Sequence, residues 1–461
     1  MSPPDVGRTA VYAVPLPTFS LEKDILCFRI VGLCGLPSRN PTSCKPCKNR
    51  GLPGSCADST FRTLKSMEIN DQMTKVREQI VPFHSAAVGE EEAQAAAEVV
   101  RSGWLTMGPK TIEFEQKFAA YVGAKHAVGV SSCTAGLHLA LDAIGLKQGD
   151  EVLVPTTTFT ATAEVVAYFK AKPVLVDVDA ESLCMDPADA ERRITKQTRA
   201  VIPVHYAGQP CEMDAIQNLA KRHGLRVIED AAHSLPASYH GVRVGAISEL
   251  TAFSFYATKT LTTGEGGMVT TDNDDLATRM RMMRLHGIGR DAWKRYSAEG
   301  SWYYEVLDSG FKYNLTDIQS AIGIVQLTKC DSMNAARAQI TARYSKEFAK
   351  ERALQVPTVG DHRDSAWHLY VLRLNLEEIS ITRSEMIEKL KERGIGTSVH
   401  FIPLHMHPYY RNTYGYLAED FPVASKQYQR YLSLPIFPGM TSAQIDYVIE
   451  NVLEIIKASA R

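Results

Sequence analysis

The sequence predicts an α/β fold built on a mostly parallel sheet, followed by a smaller α+β region. Two observations carry this. From residue 126 to 230, short runs rich in Val and Ile alternate with helical stretches, the pattern of parallel strands buried on both faces. After Pro357 that alternation stops, and helix-like and strand-like stretches follow singly to the C-terminus.

In chain order, residues 90–102 predict an amphipathic helix, 103–109 a turn-rich connection and 111–122 a second helix. Strands are expected over 126–130, 151–155, 173–178, 200–205 and 226–230, with helices over 134–144, 160–171, 188–194 and 213–223 between them. Right-handed crossovers then place helices on both sides of the sheet. A strand ending at Phe255 or Tyr256 and another over 268–271 flank a glycine-rich turn. Helix 274–286 leaves the sheet, and a helical stretch runs from Tyr313 to about Phe348. The tail reads as strand 368–374, helix 383–393, strand 396–401 and a closing helix 442–456. A large domain over 81–330 and a small C-terminal domain over 331–461 are the expected division.

Residues 1–66 differ in character, with repeated prolines, little periodicity and five of the nine cysteines. Cys44-Lys-Pro-Cys47 with Cys56 suggests zinc, but no second ligand pair follows at zinc spacing, so no metal site is predicted. The segment reads as a disordered extension, or as translated sequence upstream of a start near Met67 or Met73. The remaining cysteines, Cys133, Cys184, Cys211 and Cys330, are scattered, which argues against a disulfide framework. The 51 basic and 52 acidic residues leave a net charge of −1, with no pull toward nucleic acid. No run approaches the roughly 20 apolar residues of a membrane span. The body reads as a cytoplasmic protein.

The chemistry concentrates around Thr251-Ala-Phe-Ser-Phe-Tyr-Ala-Thr-Lys259, followed by Gly264-Glu-Gly-Gly267. A lone loop lysine is ordinarily a solvated one. Lys259, however, follows a buried strand between small hydroxyl residues, where an amine loses its proton and becomes a Schiff-base nucleophile. Asp230 ends a strand, at the side of a parallel sheet where ligands collect; its alternative use is as an N-cap. Ser131-Ser-Cys-Thr134-Ala135-Gly opens a helix directly after a strand, so its N–H groups and helix dipole form an anion site. Ser254 can reach the same anion. Phe159 can lie flat on an aromatic ring, although an isolated phenylalanine is more commonly core. His233 can bond a ring hydroxyl. An amine for an aldehyde, a carboxylate for a pyridinium, a cup for a phosphate and an aromatic stacker are what pyridoxal 5′-phosphate requires.

At family spacing, these motifs resemble the DegT/StrS-type sugar aminotransferases from about Val81 to the C-terminus. The matching stretches include Val81-Pro-Phe, Ser102-Gly-Trp-Leu-Thr-Met-Gly-Pro, Ser132-Cys-Thr134-Ala-Gly, Pro155-Thr-Thr-Thr-Phe159, Glu229-Asp230-Ala-Ala-His233 and the Lys259 segment. The resemblance implies the fold-type-I, aspartate-aminotransferase-like arrangement with a seven-stranded sheet. It also implies transfer of an amino group from glutamate to a nucleotide-linked keto-sugar, giving an amino sugar and 2-oxoglutarate. Val201-Ile-Pro-Val-His-Tyr-Ala-Gly-Gln-Pro, Lys312-Tyr-Asn314 and the stretch ending in His400-Phe are similar to the branch that aminates UDP-4-keto-sugars. That branch includes the UDP-4-amino-4-deoxy-L-arabinose–oxoglutarate aminotransferase. Its stacking position is usually tryptophan, and Phe159 occupies it here. A homodimer is implied, with Asn314 reaching the phosphate of the partner subunit's cofactor and His400 on the substrate side. The family's dehydratases carry histidine in place of the lysine, so Lys259 disfavours that activity. A non-enzymatic regulator on the same fold finds no helix-turn-helix extension or basic stripe to support it.

Overall fold

The computed structural model of the chain describes residues 80–289 and 303–461. The extension over 1–66, its cysteine group and the start near Met67 or Met73 lie outside the described residues. Helices α1 (Glu90–Ser102) and α2 (Pro109–Val122) precede the sheet. β1 (His126–Val130), α3 (Cys133–Ala143), β2 (Glu151–Pro155), α4 (Ala161–Tyr168), β3 (Lys172–Val176), α5 (Pro187–Arg192), β4 (Thr198–Val201), α6 (Met213–His223) and β5 (Arg226–Asp230) then alternate as expected. β6 (Leu250–Ser254), β7 (Gly267–Thr271) and α7 (Asp274–Met283) complete this part.

The seven strands lie in the order β1-β7-β6-β5-β4-β2-β3. Both joins of β7 are antiparallel and all others are parallel. Residues 255–266 between β6 and β7 contain no helix, so the chain returns beside itself rather than crossing over. The strand interiors are apolar, with Val152, Leu153, Val154, Leu175, Val176 and Ile228 all without solvent exposure.

Helix α8 (Asp317–Phe348) runs through the expected boundary near residue 330. It packs on α1 and α2 and also on the closing helix. Tyr313 to Thr316, expected as its first turn, is extended instead. Asn314 bridges Val130, and Thr316 with Gln319 forms a reciprocal cap that starts the helix at Asp317. Beyond it, β8 (Leu354–Gln355), β9 (Tyr370–Leu374) and β10 (Tyr431–Leu434) form a three-stranded sheet. α9 (Arg383–Glu392) and α10 (Ser442–Ala458) are the expected tail helices.

Two expected strands differ. β4 stops at Val201 because Pro203 has no N–H for the ladder, although Ile202 still donates to Leu153. The stretch 396–401 is not a strand. Its neighbour Ile395 bridges Val81, while Ser398 bridges Ser433. Pairing therefore changes partner within three residues and no continuous ladder forms.

A cluster of unexposed rings anchors β6. Phe253 packs edge-on to Phe118 with ring centres 5.1 Å apart, and Phe255 lies 5.4 Å from Phe114 and 5.6 Å from Phe118. The strand leading to Lys259 is thus held from α2.

Candidate active site

β5 and β6 are parallel neighbours, and their carboxyl ends carry Asp230 and Ser254. After Ser254 the chain turns: Lys259 N donates to Tyr256 O at 2.9 Å, and Thr263 N to Phe255 O at 3.0 Å. α8 steadies the turn, since Gln319 Nε2 donates to Glu265 O at 2.7 Å.

Lys259 is half-buried. Crowding by protein lowers its pKa from the ordinary lysine range to about 8, with Cys133 and Asp230 opposing that fall. Asp230 is buried, and desolvation raises its carboxyl above the usual range. The Thr162 hydroxyl, the Ala232 N–H and the Lys259 ammonium pull it back. Amine and carboxylate therefore lie within electrostatic reach of each other, as a ring gripped at both ends requires.

The phosphate cup is built by a close approach of two elements. Ser132 caps α3, accepting from Ala135 N at 3.1 Å. The N–H groups of Cys133 and Thr134 in that first turn have no preceding carbonyl of the helix to bond, whereas Gly136 N already donates to Ser132 O at 3.0 Å. Gly267, opposite Ser254 on β7, lies directly against this turn. A Cβ on Gly267 would stand 2.6 Å from Ser132 C, 2.8 Å from Cys133 N and 2.8 Å from Phe253 O, all backbone atoms. Gly267→Ala is therefore expected to cost about 1–3 kcal/mol through overpacking and to weaken phosphate binding. Urea denaturation and an inorganic phosphate titration check this; an unchanged unfolding midpoint would mean the turn has room. Thr134 is half-buried and Ala135 buried, the N–H of Ala135 already engaged by Ser132. Ser254 Oγ accepts from Tyr256 N at 3.3 Å.

Two more expected residues are joined through a third side chain. His233 is buried, its Nδ1 has no partner among the described residues, and desolvation holds the ring neutral. Phe159 is 60% exposed, so its ring is not committed to the core. Phe401, absent from the sequence-based set, links them: it stacks on His233 at 5.7 Å and tilts against Phe159 at 6.0 Å. Tyr206 and Tyr431 donate to the carbonyls of His400 and Phe401, so this segment is clamped from both sides. His400 is lowered to about 4 by burial and by the Lys259 charge, and bonds Ser433 Oγ at 2.9 Å. Asn314 stands one strand position from the cup, beside Val130. Its side chain donates to Leu315 O at 3.2 Å and accepts from Lys312 Nζ at 2.5 Å.

Sequence reasoning also missed Thr162, which donates to Asp230 Oδ2 at 2.8 Å, and the unexposed His205–Glu229 pair at 2.6 Å beneath Asp230. Thr162 lies three positions after Phe159, one helical turn, which is the signal that could have found it. His205 and Glu229 stood inside quoted motifs with no charge pattern to join them.

The residues fit pyridoxal phosphate. Among the described residues the buried Asp230 carboxylate forms no ion pair and the buried His233 Nδ1 has no hydrogen-bond partner, and Gly267 lets β7 come directly against a helix N-terminus. The lowered lysine pKa has a measurable consequence. The neutral amine is the reactive form and accumulates above its pKa. The rate of cofactor addition to apoenzyme is expected to rise about tenfold from pH 7 to 9 and then level off. Stopped-flow absorbance checks this; a rise continuing toward pH 10.5 would mean an unperturbed lysine.

The profile of the DegT/DnrJ/EryC1/StrS aminotransferase family matches residues 86–453. The spore coat polysaccharide biosynthesis protein SpsC of Bacillus subtilis is 49% identical over 388 residues, spanning 84% of this chain and all of that protein. Spr1654 from Streptococcus pneumoniae, solved in its PMP form, superposes with a TM-score of 0.77 at 32% identity, covering 82% of this chain and 99% of that one. Its PLP form matches at a TM-score of 0.76. PseC of Helicobacter pylori, an aminotransferase involved in the biosynthesis of pseudoaminic acid, matches at 0.76 and 26% identity, covering 82% of this chain and 100% of its own.

Proposed function

Because the chain belongs to the DegT/DnrJ/EryC1/StrS aminotransferase family and is a pyridoxal-phosphate-dependent sugar aminotransferase, we propose that it moves an amino group from glutamate to a nucleotide-linked keto-sugar, specifically a UDP-4-keto-sugar. The observation that carries the chemistry is the Lys259 amine, lowered to about 8, within reach of the buried Asp230 carboxylate. The choice of nucleotide sugar is supported by the motif that holds Lys312-Tyr-Asn314 and by the clamped His400–Phe401 segment packed on His233.

Pyridoxal phosphate, when bound, supplies an electron sink. The chain's residues do the rest. Lys259 Nζ would hold the cofactor through its aldehyde carbon and would serve as the base for the proton on the α-carbon of the amino donor. Asp230 would pair with the ring nitrogen and keep a proton on it. The α3 turn with Thr134, Ala135 and Ser254 would hold the phosphate, Phe159 would cover one ring face, and His233 would meet the ring hydroxyl. His400, uncharged at neutral pH, stands on the substrate side. In a homodimer, Asn314 reaches the phosphate of the neighbouring active site. The four described cysteines are free thiols, which suits a reducing cytoplasm. None of the described helices is long and apolar enough to cross a membrane.

The test is incubation of the enzyme with glutamate and a panel of UDP- and dTDP-keto-sugars while 2-oxoglutarate is followed. Formation with a UDP-4-keto-sugar is expected. Turnover confined to dTDP-sugars, or with no activated sugar, would overturn the reading.

A further inference from the structure

We infer that Thr162 is the positioning residue for Asp230, the delivering end of a hydroxyl relay that fixes the direction and the charge of that carboxylate. Thr162 lies in the first turn of α4, is 1% exposed, and has three oxygen neighbours. Its Oγ1 lies 2.8 Å from Asp230 Oδ2, 2.8 Å from Thr158 Oγ1 and 3.2 Å from Phe159 O. A hydroxyl has one proton to give. The carboxylate contact is the shorter of the two to pure acceptors, and a bond to an ionised group is roughly twice as strong as a neutral one. The proton of Thr162 therefore goes to Asp230, and Thr158 donates to Thr162 in turn.

The other carboxylate oxygen, Oδ1, accepts from Ala232 N at 3.1 Å, with Cys133 Sγ at 3.9 Å. Each oxygen thus has a fixed donor, and the carboxylate plane cannot rotate freely. The choice of a hydroxyl has a reason. A lysine or arginine at position 162 would also stabilise the ionised carboxylate, but would compete with a ring N–H⁺ for it. A neutral donor favours the charge and leaves it free to pair with a ring N–H⁺. The relay also joins two tasks, since residues 158–162 carry both Phe159 and the donor to Asp230.

This rests on Asp230 being the ring-nitrogen partner, so Asp230→Asn is measured beside the threonine variants. Thr162→Val keeps the shape and deletes the donor. Thr162→Ala deletes it without adding a methyl group to the core, so a folding defect in one variant leaves the other. Thr162→Ser restores the hydroxyl. The readouts are pyridoxal phosphate affinity of the apoenzyme by fluorescence titration, kcat and KM for the amino donor, and thermal stability. For Val and Ala, kcat is expected to fall about tenfold to a hundredfold with weaker cofactor affinity. KM should stay within about threefold, because the donor never touches Thr162. Ser is expected to recover most of the loss. Wild-type kcat and affinity in Val and Ala, a Ser variant as impaired as Val, or a fall in stability alone would overturn the relay. If Asp230→Asn is inactive while Thr162→Val is fully active, only the relay fails. If Asp230→Asn behaves as wild type, the ring-nitrogen reading fails with it.

Discussion

Lys259→Ala is expected to abolish the near-visible absorbance of the holoenzyme and to lower kcat by roughly four orders of magnitude or more. The expectation follows from position. The ordered turn after β6 brings one amine to the end of the strand beside Asp230, and protein crowding lowers it to about 8. Both covalent attachment and proton transfer depend on that nitrogen. Alanine removes both while changing little packing, since the side chain is only half-buried. Absorbance and single-turnover kinetics with glutamate check it. Sugar amination retained in the variant would transfer the role to another group.

Asp230→Asn is expected to lower kcat by about 10²- to 10³-fold. The carboxamide keeps the volume and can still meet Thr162, but it carries no charge to hold a proton on the ring nitrogen. The electron sink then weakens, although the amine can still attach the cofactor. A normal absorbance band with poor turnover is therefore the signature. Steady-state kinetics with glutamate check this, and wild-type kcat would show that the carboxylate is structural.

The sequence carried the scaffold well where one strong signal acted alone. Val- and Ile-rich runs marked the strands from β1 to β5, because burial on both faces leaves no polar alternation. Lys259 and Asp230 stood out in the sequence because Asp230 ends a central strand and Lys259 follows the strand beside it. What escaped was set by tertiary partners. The 396–401 stretch has strand-like composition, yet its pairing is divided between Val81 and Ser433. Tyr313 to Thr316 continues a helical pattern, but the bridge from Asn314 to Val130 and the Thr316 cap fix a later start. Phe401 contributes through side-chain contacts to His233 and Phe159, far away in sequence, and no local spacing encodes those.

The most direct test is borohydride reduction of the holoenzyme followed by peptide mass spectrometry. Reduction makes the lysine–cofactor link permanent, so the labelled peptide reports the attachment point without any assay of turnover. A single pyridoxyl group on Lys259, reduced in yield when Gly267 carries a side chain, is the expected result. A label on any other lysine, or none on a protein that retains its activity, would contradict it.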